Sequence, residues 1–441
     1  MKNAKFDTIW DSLRASYWFL PTLMAIGAMA LSTLMLLVDS AEIEFLHDVR
    51  WIYTGGPDGA RQVLSTVAGS MATVATTAFS ITIVALQLAS SSFGSRLLRN
   101  FMQDRGNQFV LGAFVSTYVY SLLVLRTIRN EDFDFFVPQL SVTVGMILAV
   151  FSIGVLIYFI HHAATIIQAS HVLAEVSDEL HDAIDRLFPQ PLGHSIPDRY
   201  RPISEIPIDF TENSRSIQSE RTGYLQLIDD ASLMKLARQH DLLIHLRHRP
   251  GKFIIQNSDI ARVYPAERVN SDLARRINKT LILGKERTEQ QDVEFPIDQL
   301  VETATRALSP GINDPFTAIR CIDRLAAGLC HLAQREIPSA YRYDEDDQLR
   351  VITVPIRFES IVDQSFNQIR QYGKTDLAVM VRLLEGVYAV AKCAHNPVQR
   401  TALTRHAEMI LRSSQEGLSE EYDRKLVAEQ YNAILEELEE P

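Results

Sequence analysis

Residues 62–95 form 34 consecutive positions without a formal charge, bounded by Arg61 and Arg96. A helix rises about 1.5 Å per residue, so the run reaches roughly 50 Å, beyond the ~30 Å hydrocarbon thickness of a bilayer. It is unusually rich in hydroxyls. Thr66, Ser70, Thr73, Thr77, Ser80 and, past Val84, Gln87 recur at steps of three and four that share one helical face, while Val74, Ala75, Phe79, Ile83 and Leu86 fall elsewhere. Two readings stay open. The hydroxyls can bond back to carbonyls one turn earlier and let helices approach closely. Alternatively, they line a water-filled path formed when several copies surround an axis.

The mean hydropathy of zero averages two unlike halves. Residues 1–170 hold ten Lys and Arg against eleven Asp and Glu, which leaves 33 basic and 43 acidic residues in 171–441. So acidic a second half argues against a nucleic-acid partner, which calls for a basic face. The three cysteines, Cys321, Cys330 and Cys393, lack CxxC spacing and suit reduced, largely buried thiols.

The pattern predicts a mainly α integral membrane protein, with four transmembrane helices followed by a cytoplasmic α+β region. Spans are expected near 17–38, 63–89, 108–125 and 137–160, all within 1–170, and the first reads as a span and not as a cleavable leader. Residues 171–222 read as a helical stalk and connector. A small β-rich domain follows at 223–268, with strands at 223–229, 242–247 and 252–256 and a helix at 231–240. A mainly helical domain takes 269–441, with helices at 271–283, 296–308, 316–334, 359–371, 376–394, 398–413 and 419–439 and one strand-like run at 351–356. The N-terminal tail and the 90–107 loop hold six Lys and Arg against four in the other loops, which places both termini on the cytoplasmic side. Residues 91–107 read as a short surface-lying amphipathic helix, whose Arg96, Arg99 and Arg105 could meet lipid phosphates or ring an inner mouth.

Two passages are distinctive together: Phe93-Gly94-Ser95-Arg96-Leu97-Leu98-Arg99-Asn100-Phe101 followed by Asp104-Arg105-Gly106-Asn107-Gln108, and Arg306-Ala307-Leu308-Ser309-Pro310-Gly311-Ile312-Asn313-Asp314-Pro315-Phe316-Thr317-Ala318. With the four-span start, they resemble the bacterial membrane-protein family called domain of unknown function 2254. The resemblance covers nearly the whole chain and implies a multi-pass protein of the bacterial inner membrane with a cytoplasmic C-terminal region. It assigns no catalytic residue.

Asp314-Pro315 supplies a side-chain acceptor at an N-cap and a proline at the first helical position, so the second motif reads first as a turn. Ser309, Asn313 and Asp314 are its candidate ligand or subunit contacts. His171, Glu175 and Asp178 share a helical face, yet a solvated stalk uses the same residue types, so no metal and no cofactor are expected. Asp344-Glu345-Asp346-Asp347 reads as an exposed loop. No Walker loop, dinucleotide fingerprint, GxSxG elbow or HExxH helix occurs, so no enzyme is expected. The expectation is a homo-oligomeric channel whose partners are the lipid bilayer and its own copies. The alternative is a membrane-anchored scaffold or sensor that binds a protein or small ligand through its cytoplasmic part.

Overall fold

The computed structural model describes residues 16–41, 52–93, 104–129, 136–166, 168–188 and 206–439. They divide into two compact units, 1–172 and 173–441.

The first unit contains four helices long and apolar enough to cross a membrane: α1 (Phe19–Ser40), α2 (Pro57–Phe93), α3 (Arg105–Leu125) and α4 (Gln139–Ile166). The third is the innermost, packing on each of the other three. Small residues set these contacts. A Cβ on Gly112 of α3 would come within 2.4 Å of the Met24 sulfur and 3.3 Å of the Pro21 Cα, so glycine is what lets α1 lie against α3. One cluster joins Ala28, Leu64, Tyr120, Val124 and Val142, and a second joins Met71, Ala78, Val110, Phe114, Val155 and Phe159. Two polar contacts lie inside: Thr117 and Ser152 hydroxyls meet at 3.2 Å, and Tyr120 donates to the Ser141 carbonyl at 3.0 Å.

The second unit opens with most of α5 (Ala169–Leu187) and continues into α+β structure. Its strands are β1 (Arg215–Gln218), β2 (Gly223–Ile228), β3 (Leu243–Leu246), β4 (Phe253–Ile254), β5 (Asp259–Tyr264), β6 (Leu281–Gly284), β7 (Tyr341–Tyr343) and β8 (Leu349–Ile352). They form a five-stranded sheet in the order β1-β5-β3-β8-β7 and a three-stranded sheet in the order β4-β2-β6. Only the β3–β8 pairing is parallel, matching Ile244 with Val351 and His245 with Ile352. Helices α6 (Asp230–Gln239) and α7 (Ser271–Thr280) cover the sheets through Leu233, Leu236, Leu273 and Ile277. The remaining helices are α8 (Glu294–Ala307), α9 (Pro315–Ala333), α10 (Phe358–Gly373), α11 (Leu377–Cys393), α12 (Pro397–Gly417) and α13 (Glu421–Glu439).

Sheet structure thus extends on both sides of 223–268. The helix expected over 271–283 ends at Thr280, and the chain turns directly into β6, where Leu281 pairs with Ile228. The acidic run 344–347 is the tip of the β7–β8 hairpin, and only part of it faces solvent freely. Asp344 accepts the backbone N–H groups of Asp346 and Gln348, each at 3.0 Å, and the Arg350 Nε at 2.7 Å. That guanidinium holds the Asp344 carboxyl below the usual carboxylate range.

Candidate functional site

Along α2 the packed side is built from Ala60, Leu64, Ala68, Met71, Ala78, Thr82 and Ala85, all buried. At 100° per residue the hydroxyl stripe lies on the opposite side of the helix. Thr66, Ser70, Thr73, Thr77, Ser80 and Gln87 are all exposed on this chain, so its own four-helix cluster does not enclose the stripe. Four hydroxyls are back-bonded one turn down the helix: Thr66 to the Gln62 carbonyl at 2.7 Å, Thr73 to Gly69 at 3.0 Å, Thr77 to Thr73 at 2.9 Å and Ser80 to Thr76 at 2.9 Å. Such bonds cover most of the polarity of a hydroxyl and leave it able to accept a further partner.

The stripe has a clear level within the cluster. Met71 shares a contact cluster with Phe114, so Thr73 stands near the middle of α3. The packed side of α2 continues through Thr82, which donates to the Ala78 carbonyl at 2.9 Å, as far as Ala85. Residues 86–93 extend α2 roughly 12 Å past Ala85. Gln87 lies on this extension, separated from the hydroxyls by exposed Ile81 and Val84. Phe79 and Ile83, expected off the stripe, are exposed as well.

At the same end a polar cluster forms that its separate sequence positions do not announce. Asp104 caps α3 by accepting the Asn107 N–H at 2.7 Å, and its carboxylate meets His162 Nε2 of α4 at 2.9 Å. Tyr158 stacks on the His162 ring, with centroids 5.2 Å apart. Gly106 is required there: a Cβ would come within 2.6 Å of His162 Nε2 and 2.8 Å of the Tyr158 hydroxyl. Thus the second run of the first distinctive passage, Asp104 to Gln108, holds the start of α3 against the end of α4. Arg105 is exposed at the first position of α3. Arg96, Arg99 and the rest of the 94–103 stretch lie outside the described residues.

The second passage is a turn in its polar parts. Ser309 donates to the Arg306 carbonyl at 2.6 Å, and Asn313 adopts a left-handed conformation with φ of 52°. Asp314 caps α9, accepting the Thr317 N–H at 3.1 Å and the Thr317 hydroxyl at 2.6 Å. What the turn presents outward is apolar: Ile312 is 45% exposed and Phe316 73%. Elsewhere in this unit, a buried ionic network spans the start of α8. Arg287 binds Asp292 at 2.7 Å and Asp298 at 2.5 Å, while Glu294 receives Arg249 and, at 3.0 Å, Lys252. Burial pushes the Asp292 carboxyl up, opposed by Arg287. Burial pulls the Arg287 guanidinium down, but its two carboxylates outweigh that and hold it above its ordinary value.

Four helices long and apolar enough to cross a membrane, followed by an α+β region, define the architecture, and the family comparison describes a membrane protein. The family model described as "Predicted membrane protein (DUF2254)" matches residues 14–389, and the chain belongs to that family. An uncharacterized protein of Mycobacterium bovis is 32% identical over 427 residues, spanning 95% of this chain and 80% of the relative. Uncharacterized proteins from two strains of Mycobacterium tuberculosis align over the same length at 32% and 31% identity. No solved structure matches.

Proposed function

We propose that the chain assembles with copies of itself in the bacterial inner membrane, with the outward face of α2 around a shared axis, and provides a passive path for ions or small solutes. Both termini lie in the cytoplasm, where the 173–441 unit assembles or gates the path. One observation carries the reading: Thr66, Ser70, Thr73, Thr77 and Ser80 face away from the packed side of their own chain. Four helices are too few to enclose a roomy channel, so a path along this face requires several copies. Arg96, Arg99 and Arg105 serve the inner mouth or meet lipid phosphates, and the chain carries out no catalysis. A second reading has its own support, the back-bonding, because self-satisfied hydroxyls also suit close helix packing between copies. There the protein is a scaffold or sensor whose cytoplasmic unit binds a partner or small ligand, with Ser309, Asn313 and Asp314 at a contact.

Cysteine accessibility separates the two. In a background where the native cysteines are serine, Thr73→Cys reacts with a charged, membrane-impermeant thiol reagent, and Phe79→Cys reacts less. Reconstituted protein conducts in planar bilayers, and Thr73→Leu alters the conductance. A folded, oligomeric sample that stays silent, with Thr73→Cys inert, excludes conduction in favour of the scaffold.

A further inference from the structure

We propose that the turn before α9 and the first three turns of that helix dock on the surface of an anionic phospholipid bilayer. Ile312 and Phe316 insert at the boundary between headgroups and acyl chains, and Arg320 and Arg324 bind lipid phosphates. The turn itself holds the apolar tip out. The Ile312 and Asn313 N–H groups both donate to the Ser309 carbonyl, at 3.0 and 2.9 Å, and the Asp314 N–H donates to the Ala307 carbonyl at 2.8 Å. With Asp314 also capping α9, the loop is ordered before any partner arrives, so docking forfeits little conformational freedom. The connection between α10 and α11 lies beside it, since a Cβ on Gly373 would stand 3.4 Å from Leu308 Cδ1. That connection repeats the pairing of ring and cation, with Tyr372 and Lys374 both exposed.

Charge along α9 comes in the order a bilayer calls for. Phe316, Arg320, Arg324 and Ala327 are all exposed and, at 100° per residue, fall within an arc of about 80°, while Cys321, Leu325 and Leu329 are buried on the other side. Neither Arg320 nor Arg324 has a hydrogen-bond or ion-pair partner among the described residues. Asp323, the carboxylate on the same face, is already bound by Arg382 Nε at 2.6 Å, and Arg382 also meets Glu385 at 2.7 Å. Two uncompensated guanidiniums on one face run against the acidic balance of this half of the chain. Four residues of helix span about 6 Å, so Arg320 sits about 6 Å and Arg324 about 12 Å along the axis from Phe316. Interfacial apolar groups bury about 5–10 Å into the headgroup and acyl boundary. With the N-terminal end of α9 toward the bilayer, Arg320 therefore meets the phosphates, and Arg324 meets the outer edge of the same layer. The guanidinium fork suits a phosphate group. This graded order, apolar tip first and cations above it, favours lipid over a protein groove. The inference rests on the reading that puts the 173–441 unit on the cytoplasmic side, where the leaflet carries anionic lipid.

Hydroxyl-radical footprinting of the full chain in nanodiscs tests this, with discs of phosphatidylcholine alone compared with discs that also contain phosphatidylglycerol. Ile312 and Phe316 share the tryptic peptide 307–320, and the exposed Phe253 and Ile255 of the β4 region share 253–262 as an internal control. The expected result is less oxidation of Ile312 and Phe316 when phosphatidylglycerol is present, with Phe253 and Ile255 unchanged. Arg320→Gln lowers the ratio of docked to undocked chain about fivefold, the loss of one cation at the lipid surface, and Arg324→Gln lowers it less. Both side chains are exposed, so neither change disturbs the core. Both faces of a nanodisc carry the lipid, and the readout needs no current. A chain that docks but does not conduct therefore loses the path and keeps the docking, and one that conducts while Phe316 stays oxidised does the reverse. Equal oxidation of Phe316 in the two kinds of disc overturns the inference. So does protection left at the parent level in both arginine variants. Protection that appears in lipid-free detergent and rises with protein concentration overturns it too, and assigns the patch to a second copy.

Discussion

Asp39 and Ser141 tie the end of α1 to the start of α4. The Asp39 carboxylate accepts the Leu140 and Ser141 N–H groups, each at 2.9 Å, and the Ser141 hydroxyl at 2.5 Å. It therefore satisfies two of the open donors at a helix N-terminus, with a negative charge where the helix dipole favours one. Loss of such a cap costs about 1–2 kcal/mol. Asp39→Ala lowers thermal stability in detergent by about that amount, while Asp39→Asn, which keeps an acceptor but no charge, loses less. Equal stability of Asp39→Ala and the parent would remove the cap from the account of how α1 and α4 are held.

In the second unit, Arg287 stands between two carboxylates, and the Asp292 side chain is only 2% exposed. Removing one partner of a buried pair leaves the other charge without compensation, at a cost of about 3–5 kcal/mol. Arg287→Ala therefore destabilises the 173–441 unit by that order. Arg287→Met with Asp292→Leu recovers part of the loss, since no unpaired carboxylate remains at 292. Unfolding followed by circular dichroism in the full chain tests both. A double variant as unstable as the sum of its singles would mean that the two groups do not act as a pair.

Gly251 is a second probe of the same network. Its φ of +89° is a left-handed conformation, and a Cβ there would fall 2.2 Å from Asp292 Oδ2. Gly251→Ala meets both penalties, the backbone strain and the displaced carboxylate, and loses about 1–3 kcal/mol in the same unfolding assay. Preserved stability would show that the turn relaxes away from the network.

The four apolar helices could be read from the sequence because charge is absent over long stretches, a signal that does not depend on neighbours. The facing of α2 was not readable. Periodicity fixes the angles between Thr66, Ser70 and Thr73 but not which angle meets α3, and a packed face made of Ala60, Ala68, Ala78 and Ala85 is hardly more apolar than the outward one. Short strands were lost for a related reason. The run 259–264 pairs on both sides with distant partners, and Leu281 continues from α7 with no glycine or proline between helix and strand. The Asp104–His162 contact joins positions 58 apart, which no local spacing reveals. The Asp314 cap was readable because donor and acceptor lie within one helical turn.

His406 gives the protein an acid-side weakness with a definite sign. The residue is fully buried, and its Nε2–H donates to Asp363 Oδ1 at 2.8 Å, while Nδ1 has no hydrogen-bond partner. A lone pair at Nδ1 is tolerable there, but protonation would place a charged N–H where nothing accepts it. Burial is the main reason the folded-state pKa falls below the ordinary 6.5, and the Asp363 carboxylate only partly offsets it. The unfolded chain thus takes up a proton that the folded chain refuses. Stability is complete above pH 6.5 and declines as the pH falls from there through the folded-state pKa, by up to about 1.4 kcal/mol per pH unit from this group. His406→Gln can still donate to Asp363 and removes the titration, so its stability profile is flatter than the parent's below pH 6.5. Parallel profiles for the two proteins, measured by thermal unfolding from pH 7.5 downward, would show that His406 is not the group responsible.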